Sequence, residues 1–249
     1  VKYPILLALL FSALLFSCKK EKVKATDPEA IFELHLQPYY GNQLFQLDSA
    51  CVLPNGQLVK ISNIRFYASN YLFSNGINIK TTLYNLRENG TKLFSTNQDI
   101  STSASVNFYF GIDSLTNHSD PSVYGLDDPL NILNANDMHW SWNPGYIFLV
   151  VQGIADTTGS GAMFNQPVLF HIGKDYNYRL ISAENLQWNT EITGSGNKLT
   201  KAVLCLEVNK LFENIDLKTQ NMCHSDVDEQ VLSLQIGAAF VSGIKKCDE

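Results

Sequence analysis

No catalytic signature punctuates this sequence. It contains no nucleophile elbow, no glycine-rich phosphate loop, no H-E-x-x-H pair and no dinucleotide fingerprint. Basic charge is scarce: 18 Lys and Arg stand against 24 Asp and Glu, a formal net charge of −6, so no positive surface points to nucleic acid. Beyond Phe16 no apolar run approaches the length that crosses a bilayer. None of the five cysteines sits in a C-x-x-C spacing, which argues against a thiolate metal site. Asp113, Asp120, Asp127 and Asp128 lack the alternating oxygen ligands of an EF-hand loop. No repeat is visible either, so neither a solenoid nor a propeller is expected.

What is present begins with Lys2 and the short apolar run Ile5 to Phe16, closing on Ser17-Cys18. That is the pattern of a lipoprotein signal peptide over residues 1–17, with Cys18 as the lipid-carrying first residue of the mature chain. Residues 18–29, rich in Lys and Glu, read as a tether, and 30–249 as one domain large enough for its own core. A lipid-anchored protein outside the cytoplasm meets an oxidising environment. Cys51, Cys205, Cys223 and Cys247 are then expected to form two disulfides, or at least one, with three connectivities open.

The domain reads as mainly β. In Ile31 to Tyr40, Phe32, Leu34 and Leu36 share one face while Glu33 and His35 share the other. Leu44 to Leu47 and Gln57 to Ile61 are strands around the turn Pro54-Asn55-Gly56, and Asn78 to Leu86 pairs with Ile64 to Phe73. In the latter the polar Ser69-Asn70 needs hydrogen-bond partners from neighbouring loops. Arg87 to Ser105 is polar and is expected on the surface. Val106 to Ile112, Pro167 to Gly173, Tyr176 to Ile181 and Leu199 to Leu211 complete the strands, and Asn221 to His224 is a loop. One helix is predicted over Ser225 to Val241, with Ser225 as cap and Asp228 and Glu229 favouring its N-terminus. The architecture expected is an antiparallel β-sandwich of Greek-key type with long loops and one C-terminal helix.

The densest stretch is Met138 to Gly153, which holds Trp140 and Trp142, His139, the turn Asn143-Pro144-Gly145 and the unbroken apolar run Tyr146 to Val151. That run predicts a central strand buried on both faces. If the segment before it is extended, both indoles share a face and His139 points the other way. The aperiodic segment Asp113 to Asp137 leads into it, and a loop of that length in a compact domain is more often functional than accidental. Five histidines, His35, His118, His139, His171 and His224, are the residues with metal-binding chemistry, since imidazole suits copper or zinc.

In order along the chain, Phe66-Tyr67-Ala68-Ser69-Asn70, Phe110-Gly111-Ile112-Asp113, the Asn/Asp/Pro loop, Met138-His139-Trp140-Ser141-Trp142-Asn143-Pro144-Gly145-Tyr146 and Phe170-His171-Ile172-Gly173 resemble the methanobactin-associated MbnP-like copper-binding proteins. The likeness runs from about Ile31 to Val241. It implies an extracytoplasmic β-sandwich that binds copper through histidines and a kynurenine made from tryptophan by a di-haem peroxidase-like partner enzyme. By motif position, Trp140 is the oxidisable residue, with Trp142 and Met138 as its supporting neighbours. His171 is the first imidazole ligand and His35 the second. His139 stands where an aromatic is common in the family and is a ligand or a substitution; His224 lies outside the matched motifs.

The resulting expectation is a lipid-anchored, non-enzymatic copper protein of a Gram-negative envelope, periplasmic or on the outer membrane. Its alternative is an interaction module that holds a peptide or glycan and uses its histidines structurally.

Overall fold

A computed structural model describes residues 29–135, 137–140 and 145–247. Cys18 with the expected signal peptide and most of the tether, and also Trp142, lie outside the described residues. The strands run β1 (Ala30–Tyr40), β2 (Gln43–Leu44), β3 (Ala50–Val52), β4 (Leu58–Phe73), β5 (Asn78–Asn85), β6 (Lys92–Thr96) and β7 (Ser105–Phe110). They continue as β8 (Ile147–Asp156), β9 (Gln166–Gly173), β10 (Arg179–Glu184), β11 (Asn189–Ile192), β12 (Lys198–Glu207), β13 (Met222–Cys223) and β14 (Ile244–Lys246). Two one-turn helices, α1 (Leu86–Asn89) and α2 (Ser114–Asn117), precede the longer α3 (Gln230–Ser242).

Two sheets form. The first has the order β11-β12-β1-β2, with β6 also on β1 and β14 on β12; the second has the order β10-β7-β4-β8-β9-β13, with β3 and β5 on β4. The expected mainly β architecture with a C-terminal helix is what forms, but the sheets are mixed, not antiparallel. β1 runs parallel to β12 and β13 runs parallel to β9. Parallel neighbours come from segments far apart in sequence, so no local turn announces them.

In the first sheet, β1 alternates as its sequence does: Phe32, Leu34 and Leu36 are buried and the residues between them are not. Its buried face meets the second sheet, where Tyr71 of β4 packs edge-on to Phe94 of β6 at 5.0 Å. Phe240 of α3 closes one part of this core against Phe66 and Phe110, at 4.9 and 5.2 Å between ring centroids.

β4 is the spine of the second sheet. The two expected strands 57–61 and 64–73 are one, because the polar residues between and within them are absorbed by register shifts, between Ile61 and Asn63 and between Ser69 and Leu72. Asn70 takes a positive φ there, Ser69 Oγ donates to the Gly111 carbonyl at 2.7 Å, and the Asn70 amide donates to Tyr178 Oη at 2.9 Å. β5 pairs with β4 as expected. The Pro54-Asn55-Gly56 turn does join a hairpin, but its first arm is β3; the expected strand 44–47 shrinks to β2, on the first sheet.

Other segments depart from expectation. The polar stretch 87–105 hides β6, whose Leu93 and Phe94 are buried. Tyr176 sits in a 3-10 turn before β10, and the expected strand 199–211 ends at Glu207, where a 3-10 turn over Val208–Phe212 takes over. One disulfide forms, Cys205–Cys247, tying β12 to the segment after β14, while Cys51 and Cys223 are free and buried. The helix begins at Gln230, not at Ser225. Ser225 has φ +58, incompatible with the extended backbone of an N-cap, and is used elsewhere.

Candidate metal centre

β8 is central, between β4 and β9, and Ile147 to Val151 are buried on both faces as its sequence requires. One face meets the core. The other is covered by the long 113–140 segment: Tyr67 Oη donates to the Pro129 carbonyl at 3.0 Å, Tyr146 Oη to the Leu130 carbonyl at 2.6 Å, and the two rings meet edge to face at 5.5 Å. Asn117 pins this cover. Its Oδ1 accepts the Tyr146 N–H at 2.7 Å and its amide donates to Asp175 at 2.8 Å.

Under the cover, side chains directly opposite one another on neighbouring strands share a face. Arg65 opposes Val150, and Val150 opposes His171. Met222 and Cys223 run beside Leu169 and Phe170, so the register, continued by one residue, brings His224 beside His171. The rings confirm it: their centroids are 5.1 Å apart and their planes nearly perpendicular. Burial, reinforced by His224 and then by Arg65, pushes the His171 pKa down to about 4, so this imidazole is neutral at physiological pH. Its Nε2 is buried and meets no hydrogen-bond partner among the described residues.

Trp140 completes the neighbourhood. Met138 to Trp140 and Gly145 to Ile147 are clasped by Trp140 N–H to the Gly145 carbonyl at 3.1 Å and Ile147 N–H to the Met138 carbonyl at 2.8 Å. Met138 and Trp140 are buried, while His139 takes the opposite face, edge-on to Tyr146 at 5.0 Å and electrostatically coupled to Asp120. Burial lowers the His139 pKa despite Asp120. Gly173 lies two residues beyond His171, hence on the same side of β9. A Cβ there would stand 2.6 Å from Cη2 and Cζ3 of Trp140, so only glycine admits the indole. The Trp140 Nε1 is likewise buried without a described partner, and Lys174 Nζ lies 5.1 Å from its ring centroid.

His35 is placed differently. On the outer face of the first sheet, its Nε2 meets Glu33 Oε2 at 2.8 Å and its Nδ1 meets Thr91 Oγ1 at 2.9 Å. Both ring nitrogens are engaged. His118, in the loop, meets Asp175 at 3.1 Å. Among the described residues no three of His, Cys, Asp and Glu gather as a metal cluster. The structure therefore brings together His171, His224 and the Trp140 neighbourhood, and leaves His35 and His139 elsewhere. His224 is the residue that sequence reasoning passed over.

The donor set fits copper in kind. Two imidazoles, one of them neutral with a buried nitrogen that has no partner among the described residues, are donors that copper accepts readily. An intact indole is not one, because its nitrogen lone pair belongs to the ring.

Fold and site together define a two-sheet, mainly β protein with a covered histidine pair beside a buried tryptophan. The chain belongs to the MbnP family, whose pattern matches residues 29–225. Its fold is similar to that of the solved structure of MbnP from Methylosinus trichosporium, with a TM-score of 0.53 over 82% of this chain and 86% of that one at 14% identity. No curated protein matches the chain.

Proposed function

We propose that this protein binds copper for acquisition or handling and is not itself an enzyme, with His171 and His224 as its imidazole ligands. The observation that carries the reading is the buried Nε2 of His171, without a hydrogen-bond partner among the described residues, on a ring whose centroid lies 5.1 Å from a second imidazole. A buried polar atom left without a partner costs about 1–3 kcal/mol, and a ligand to that nitrogen would remove the cost. Because burial holds the His171 pKa down to about 4, protons compete with a metal for that nitrogen only as pH falls towards 4. Family membership supports the same reading.

Trp140 is the residue we assign to oxidation. Oxidative cleavage of its indole C2–C3 bond by a di-haem peroxidase-like partner, with a peroxide as oxidant and C2 released as formate on hydrolysis, would replace a donor-only N–H with the aromatic amine and ketone of kynurenine. The cover and Gly173 hold the ring beside β9, so the new groups would arise next to the histidine pair. Anchoring through a lipid on Cys18, and an envelope location, belong to the same proposal; no helix among the described residues is long and apolar enough to cross a membrane.

Copper titration and intact mass on protein made with and without the partner enzyme test this. The proposal expects copper to bind in both preparations, and more tightly where Trp140 is modified. Phe at position 140 should abolish that difference, and equal affinity with unmodified Trp140 in both would remove kynurenine. A second reading, an interaction module for a peptide or glycan, draws on Leu115, Val123, Leu126 and Leu133, which are exposed on the long loop. It gains if no preparation binds copper.

A further inference from the structure

Ser225 follows His224 directly and is almost fully buried, with a left-handed backbone that a serine adopts only when its surroundings hold it. Its hydroxyl reaches across to β9. It accepts the Gly173 N–H at 3.1 Å and donates to the His171 carbonyl at 3.3 Å. Those are the backbone groups of the ligand histidine and of the glycine under Trp140. A third contact, with Ser233 Oγ of α3 at 2.6 Å, continues to the Asn177 amide at 2.8 Å, which also donates to the Gly173 carbonyl at 2.8 Å. The Asn177 amide donates to Ser233, either serine can donate across the 2.6 Å contact, and with Ser233 as that donor the Ser225 proton goes to the His171 carbonyl.

The positions before and after are held too. The His224 N–H donates to Glu229 Oε2 at 2.5 Å, and the Ser225 carbonyl accepts from Tyr176 Oη at 3.3 Å. Gly237 of α3 is what lets Asn177 into the network, since a Cβ there would meet the Asn177 Oδ1 at 2.5 Å. β13 itself has only two residues paired to β9, too few to fix the residue that follows them.

We propose that Ser225 is a positioning residue: its hydroxyl, bonded to the His171 carbonyl and the Gly173 N–H, locks the end of β13 against β9 and so holds the His224 imidazole against His171. The inference deepens the copper reading, for without this lock His224 would leave with its loop. The network also links the pair to α3, so disturbance of Ser233 in the helix should reach the metal centre.

Ser225→Gly tests this, because glycine accepts the left-handed backbone and only the hydroxyl is lost. In metal-free, isotope-labelled protein, the expected result is a native amide spectrum with loss of the nuclear Overhauser contact between the His171 and His224 rings. Copper affinity should fall by roughly 10–100-fold, the cost of removing a group that orients a ligand. Ser233→Ala, which spares the Ser225 hydroxyl, should weaken both signals less; it carries the test if the glycine variant does not fold. A retained ring-to-ring contact with wild-type copper affinity in either folded variant overturns the proposal. If the wild type binds no copper but Ser225→Gly still loses the ring contact, the positioning role stands and the copper reading fails.

Discussion

The outer faces of the two sheets each carry a histidine in mid-strand, and the chain treats them in opposite ways. On the first sheet His35 is largely buried beside Glu33 and Thr91, its side chain 16% exposed, with both ring nitrogens engaged. On the second, His171 lies beside His224, on the side of β9 where Gly173 meets Trp140, and its Nε2 has no partner among the described residues. The residue type and local pattern are the same. What differs is the partners: Glu33 and Thr91 use both nitrogens of His35, whereas the described neighbours of His171 leave its Nε2 with unused bonding capacity.

The sheets are also braced differently, which gives the largest expected effect. The first has the Cys205–Cys247 bond, closing 42 residues of chain. Replacing both cysteines with serine should lower stability by about 2–4 kcal/mol in denaturant unfolding, while leaving copper affinity unchanged. A loss of copper binding in that variant would mean the two sheets are not independent.

Next in size is Gly173→Ala. Its Cβ would lie 2.6 Å from the Trp140 ring, so the cover must move, costing ~1–3 kcal/mol by thermal or denaturant unfolding. A wild-type melting temperature would show that the indole is not held where described. On the other sheet, His35→Ala exposes Glu33 to Lys92 without creating a buried orphan and should cost under about 1 kcal/mol.

Another effect concerns pH. The folded chain refuses at His171 a proton that the unfolded chain accepts between its ordinary 6.5 and about 4. Its contribution to stability is therefore full above about pH 6.5 and is lost as pH falls towards 4. The urea midpoint of wild type should drop across that window more than that of His171→Leu. Parallel curves would place the His171 pKa near its ordinary value and remove the burial argument.

One strand in each sheet was plainly legible in the sequence, because the alternation of Phe32, Leu34 and Leu36 in β1 and the continuous run of β8 are local signals of one and two buried faces. His35 was legible as a polar-face histidine for the same reason. β6 was not, since Leu93 and Phe94 are two apolar residues in a polar stretch and only pairing with β1 makes them a strand. His224 was hidden because its partner, His171, is 53 positions away and reached by parallel pairing of two residues. Ser225, before Asp226 and Asp228, looks like a helix cap; its positive φ and its bonds to β9 are tertiary facts.

The account rests on the His171–His224 pair, not the fully partnered His35, being the copper site. The direct test is a side-by-side copper titration of folded His171→Ala and His35→Ala variants. Losing a ligand should weaken binding by more than the roughly 10–100-fold that losing a ligand's hydrogen-bond partner costs, so His171→Ala should fall beyond that range while His35→Ala keeps wild-type affinity. The reverse pattern, with full affinity in His171→Ala and loss in His35→Ala, would contradict it.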